Sequence, residues 1–128
     1  MTKERLNEIG SIILDASITV HREFGAGLLE SAYQISLKRE LELRGLTVNS
    51  RVPVELIYKD VALGKAYEID LLVENEIVIE VKSCEAITPI FISQTITYLK
   101  LYNKTLGYLI NFNVPLLKEG FKRIVNNF

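Results

Sequence analysis

Two apolar runs that meet at a polar triplet constrain this chain more than anything else in it: residues 66–82 read AYEIDLLVENEIVIEVK. Val, Ile and Leu dominate on both sides of Glu74-Asn75-Glu76, so the segment is predicted to form a β-hairpin that turns there. With the hairpin centred on Asn75, Leu72 faces Val78, Asp70 faces Glu80 and Glu68 faces Lys82, and all six share one side of the sheet. Ile69, Leu71, Val73, Ile77, Ile79 and Val81 then form an apolar side. A slip of one residue would set Asp70 against Ile79 or Val81 and mix the two sides, so the centred register is preferred.

In that register the Cβ atoms of Asp70 and Glu80 lie roughly 5 Å apart. Like charges so close cost stability unless a cation sits between them, and two carboxylates plus water suit Mg²⁺ or Mn²⁺. Lys82 projects from the same side within roughly 7 Å of Glu80, where an ammonium can orient a water or offset charge on a phosphate. The bland account of the same residues is a solvated sheet face carrying a Glu68–Lys82 ion pair. The hairpin alone leaves both accounts standing.

Upstream, Leu6, Ile9, Ile13, Ala16 and Val20 recur at three- and four-residue steps, which predicts an amphipathic helix over residues 3–23 ended by Gly25-Ala26-Gly27. A second helix is predicted over residues 29–44, with Leu29, Ala32, Tyr33, Leu37 and Leu41 on its buried side and Gly45 as its stop. Glu30 falls in its first turn, where the helix dipole favours an acid whatever else it does. Residues 46–58 read as a strand that Pro53 places near an edge, followed by a turn at Lys59-Asp60 and a short strand, residues 61–63, ahead of Gly64.

Beyond the hairpin, Thr88-Pro89 supplies an N-cap and a first helical residue for a helix running to about Tyr102. Gln94 and Tyr98 share one face of it, and a helix following the strand of Glu80 and Lys82 can return over the sheet to present both to the acids. Residues 106–112 and, after Pro115, residues 121–125 read as strands. The order predicts an α/β fold with a mixed central sheet flanked by helices.

A chain of 128 residues, 48% hydrophobic, makes one domain over residues 1–128 whose core needs no disulfide and no structural metal. The lone Cys84 excludes an internal disulfide, the lone His21 excludes multi-histidine or Cys/His zinc sites, and a reducing, cytoplasmic setting fits. No apolar run approaches the roughly 20 residues of a membrane span, and the opening MTKERLNEIG lacks the apolar stretch of a signal peptide, so no membrane partner is expected. Net charge is −1, but from Ile87 onward Lys100, Lys104, Lys118, Lys122 and Arg123 against Glu119 give +4, leaving −5 for the rest. An acidic metal cluster facing a basic C-terminal region suits a phosphate-bearing polymer, although ordinary surface lysines produce the same count.

Two short patterns carry a resemblance. Asp70 followed by Glu80-Val81-Lys82 resembles the D…ExK core of the PD-(D/E)XK nuclease superfamily, with Ile69 where that motif has proline, and Gln94-x-x-x-Tyr98 resembles the QxxxY motif of its exonuclease-like branch. The run Gly27-Leu28-Leu29-Glu30-Ser31-Ala32-Tyr33 is similar to the signature of the small GxxExxY family, and the likeness extends to NFNVPLLKEGFKRIVN near the C-terminus. The resemblance implies a restriction-endonuclease-like core, Asp70 and Glu80 as metal ligands, Lys82 as catalytic lysine, Glu30 as an extra metal-binding acid, and Gln94 and Tyr98 lining the site. It also implies Mg²⁺- or Mn²⁺-dependent hydrolysis of nucleic acid, with DNA favoured, and is compatible with a homo-oligomer. The rivals are an inactive nucleic-acid-binding or adaptor module that keeps the fold, and a different enzyme built on Cys84 or His21. A free cysteine is more often a small hydrophobe, and His21 has no serine or acid in triad context.

Overall fold

The structure, a computed structural model, describes residues 1–128. Its elements are α1 (Lys3–Phe24), α2 (Glu30–Leu43), β1 (Val48–Tyr58), β2 (Val61–Val73), β3 (Ile77–Lys82), α3 (Pro89–Leu101), β4 (Leu106–Asn111), a 3₁₀ turn (Leu117–Gly120) and β5 (Phe121–Val125). Helix α1 begins because the Thr2 hydroxyl accepts the Arg5 N–H at 3.1 Å, and it ends at Gly25, whose φ of 66° suits glycine best. Its predicted stripe, Leu6 to Val20, is buried. Arg44, just past α2, ties the two helices together through Asp15, Thr19 and Glu40, and those acids raise its pKa further.

The five strands lie in the order β1-β2-β3-β4-β5. All neighbours are antiparallel except β3 and β4, which run parallel because α3 carries the chain back between them. Helices α1 and α2 cover one face, packing a cluster that includes Ile9, Ile13, Leu37, Leu71, Ile79 and Ile110. Helix α3 covers the other, where Leu99 meets Leu72, Val78, Leu109 and Ile124. A sheet clad on both faces explains why β3 and β4 are apolar almost throughout. No helix is long and apolar enough to cross a membrane.

Three expectations change. The short strand at residues 61–63 and the hairpin strand are one thirteen-residue strand, because Gly64, at φ 91°, is absorbed within it while the pairing with β1 shifts register around Glu55. The supposed polar face is not solvated: Leu72 and Val78 are 1% and 0% exposed beneath α3. Thr88 has the extended backbone of an N-cap but makes no side-chain cap hydrogen bond, so Pro89 alone marks the start of α3. Pro53 does sit on the edge strand.

Candidate active site

The hairpin turns where expected, with Glu74 and Asn75 both left-handed at φ 53° and 54°. Its ladder has the centred register, Val73 opposite Ile77, Leu72 opposite Val78 and Leu71 opposite Ile79. There the β2–β3 ladder stops. The Asp70 N–H donates not to a strand carbonyl but to Glu80 Oε2 at 2.8 Å, and the Val81 N–H donates to Asp70 Oδ2 at 2.8 Å. Each acid thus satisfies a backbone amide that the parting strands would otherwise strand.

Asp70 lacks a ladder partner on its other side as well. Ser50 pairs with Leu71 and Val52 with Ile69, but between them Arg51 takes φ 54° and leaves the Asp70 position open. The alternation of β2 is reset at this gap, which overturns the continuous apolar side expected of the hairpin. Ile69 packs with Val54, Leu72 and Val78 under α3, not with Leu71 under α1 and α2. Beyond the gap β3 stays paired only with β4, Glu80 opposite Leu109 and Lys82 opposite Asn111. The expected Glu68–Lys82 opposition is therefore absent. Glu68 instead pairs with Lys65 at 2.7 Å and Arg51 at 3.7 Å.

Burial makes this pair chemically unusual. Glu80 is 5% exposed, and burial, with the Asp70 charge second, pushes its pKa up to about 8. Asp70 is pushed up to about 6, chiefly by burial, with Glu30 adding to the rise while the Val81 N–H and Lys82 oppose it. The carboxyls titrate as a unit. One oxygen of each is committed to an amide; Oδ1 of Asp70 and Oε1 of Glu80 accept nothing from the chain. Since no buried side-chain oxygen lacks a partner, both of these oxygens reach solvent. Two carboxylates, each fixed by an amide through one oxygen and with the other oxygen unbonded, fit a divalent cation such as Mg²⁺ or Mn²⁺.

Lys82 places its ammonium 4.5 Å from the centre of the Phe91 ring in the first turn of α3, a cation–π contact that fixes a long side chain beside the acids. Its charge lowers the pKa of both. Glu30 opens α2, half-buried, and its charge is felt by both acids, but no group of three His, Cys, Asp or Glu side chains closes around a common point. Tyr98 is half-buried, and burial followed by the charges of Glu80 and Asp70 raises its pKa, which places the hydroxyl in the field of the pair. Gln94, one turn earlier on α3, is exposed and makes no hydrogen bond to either acid.

Cys84 and His21 hold structure. The Cys84 thiol contacts the Ala86 carbonyl, and its backbone is clamped by the buried Asn111 amide, which accepts from the Cys84 N–H at 3.1 Å and donates to its carbonyl at 3.0 Å. His21 Nε2 lies 2.9 Å from the Val114 carbonyl. A cavity of about 540 Å³ lies beside His21 between α1 and Pro115–Glu119, away from the carboxylate pair. Volume and chemistry point to different places, and the buried, hydrogen-bonded acids carry more weight. Sequence reasoning missed Phe91, Asn111 and Tyr67, whose ring lies 5.5 Å from that of Tyr98. The only signal for Asn111 was a polar residue closing the apolar run LGYLIN.

The sequence matches the family model of the PD-(D/E)XK nuclease superfamily over residues 7–124. No curated protein and no solved structure gives a match.

Proposed function

Because the chain belongs to the PD-(D/E)XK nuclease superfamily, we propose that its carboxylate pair is the centre of a metal-dependent phosphodiester hydrolase acting on nucleic acid, with DNA the favoured substrate. The observation that carries this reading is the reciprocal pair itself, Asp70 and Glu80 each bonded to an amide at the point where β2 and β3 part. Asp70 and Glu80 would hold Mg²⁺ or Mn²⁺ through their free oxygens, with Glu30 contributing from α2. The bound ion would lower the pKa of a water and polarise the phosphate.

The chain's own groups do the rest. Lys82, braced on Phe91, offsets charge that builds on the phosphate oxygens in the transition state. Tyr98 keeps its proton because its pKa is raised, so its hydroxyl donates to a phosphate oxygen or a water and does not act as a base. Gln94, exposed one turn away, contacts substrate at the rim. Contacts from these groups run mainly to the phosphate backbone and not to base edges.

The test is cleavage of labelled single- and double-stranded DNA and RNA with Mg²⁺ or Mn²⁺, comparing wild type, Glu80→Ala and Lys82→Ala from identical preparations. Lys82→Ala should bind metal at least as well as wild type yet cleave roughly 10²- to 10³-fold more slowly, since the lost ammonium acts on charge that appears in the transition state. Wild-type inactivity on every substrate, or equal rates in all three proteins, rejects the hydrolase reading. Binding without cleavage would favour the adaptor alternative.

A further inference from the structure

We infer that Tyr67 is a stacking platform for an unpaired nucleobase beside the carboxylate pair, so that the site takes single-stranded nucleic acid or a frayed end in preference to intact duplex. The inference rests on the nuclease reading above and deepens it.

Tyr67 lies on β2 three residues before Asp70, a separation of about 10 Å along an extended strand. Its ring leans on Tyr98 at 5.5 Å between centroids and 52° between planes, and 41% of the residue stays exposed. Tyr98 is the more buried of the two and feels the charges of Glu80 and Asp70, and Tyr67 is the more exposed. The two rings form one aromatic surface. Of the two, only Tyr67 is exposed.

The charges around it point the same way. Arg51 and Lys65, the cations near this end of β2, are both engaged by Glu68. One carboxylate offsets one of these two charges, so the chain offers a nucleotide here a π-face beside a single net positive charge. An aromatic face is useful only to a base that has left its own stack, as in single strands, loops and ends. A duplex keeps its bases inside and gains nothing from Tyr67.

The experiment measures binding of a single-stranded oligonucleotide and its duplex, each carrying 2-aminopurine, with Ca²⁺ in place of Mg²⁺. Wild type should bind the single strand more tightly and quench its fluorescence. Tyr67→Leu should weaken single-strand binding roughly 5- to 150-fold and abolish the quench while changing duplex binding less than twofold, and Tyr67→Phe should behave as wild type. The inference is overturned if wild type fails to bind single strand, binds duplex equally well, or if Tyr67→Leu weakens both forms alike or neither. Cleavage is scored separately with Mn²⁺. Cleavage indifferent to Tyr67 sinks the platform and spares the nuclease reading, whereas Tyr67-dependent binding without any cleavage does the reverse.

Discussion

Glu80 is the residue on which the site turns, because a nearly sealed carboxyl beside a second carboxyl is tolerable only protonated or neutralised. Both acids are more basic folded than unfolded. The metal-free folded chain therefore holds protons that the unfolded chain has already released, and its stability falls as pH rises from about 4, through about 6 for Asp70, to about 8 for Glu80. With EDTA present, Tm at pH 8 should lie below Tm at pH 5 by roughly 5 °C or more. Asp70→Asn, which can still accept the Val81 N–H, should lose the part of that difference that comes from Asp70 and its charge, keep the part that comes from the burial of Glu80, and be the more stable protein at pH 8. Mn²⁺ should raise the wild-type Tm at pH 8 and barely move that of Asp70→Asn. Equal metal shifts in the two proteins would mean that the ion binds elsewhere. The opposition of these acids was legible in the sequence, since a polar triplet between apolar runs sets the register. Their reciprocal grip on backbone amides was not, because it depends on Arg51 adopting a left-handed conformation that a non-glycine residue does not advertise.

Among the elements, the start of α2 shows how a helix can be tethered to a site without an ordinary cap. Leu29 stands at the N-cap and has no side-chain hydrogen bond to offer. One turn inside, the Tyr33 hydroxyl reaches back to donate to the Gly25 carbonyl and accept the Leu28 N–H at 3.2 Å, while its ring stacks on Phe112 with centroids 4.5 Å apart. Ser83, next to Lys82, donates to the Leu28 carbonyl at 2.7 Å, so the loop before Glu30 is anchored to the strand that carries Glu80. Tyr33→Phe keeps the stack and loses both hydroxyl bonds, which should cost roughly 1–3 kcal/mol. If the tether also positions Glu30, Mn²⁺ affinity per folded molecule should fall several-fold, measured by calorimetry well below the transition. A lowered Tm with unchanged affinity would make Tyr33 a fold residue only. Periodicity placed the helix, and its boundaries were off by one residue at each end, but a tyrosine tether spans a loop and leaves no periodic trace.

At the scale of the whole molecule the excess of positive charge after Ile87 does not form the single basic region that the sequence suggested. Lys118 lines the cavity beside His21, Arg123 hydrogen-bonds Asn7 and packs on Phe128, and the Lys104 ammonium lies over Tyr102. Lys122 is different. It stands opposite Leu109 on β5, and Leu109 stands opposite Glu80, so Lys122 and Glu80 share the α3 side of the sheet two strand spacings apart, about 10 Å. Only the strand order reveals this, because 41 residues of chain separate the two and β5 returns beside β4. Lys122 is exposed and makes no ion pair, which leaves its charge for a phosphate on a strand crossing the site. Lys122→Ala should therefore weaken oligonucleotide binding severalfold at low salt and reduce the slope of log K against log salt by about 0.7 for a single strand. Lys118→Ala, removing the same charge from beside His21, should leave the slope unchanged. If both substitutions shift it alike, the protein attracts nucleic acid through its general field and Lys122 has no particular phosphate to meet.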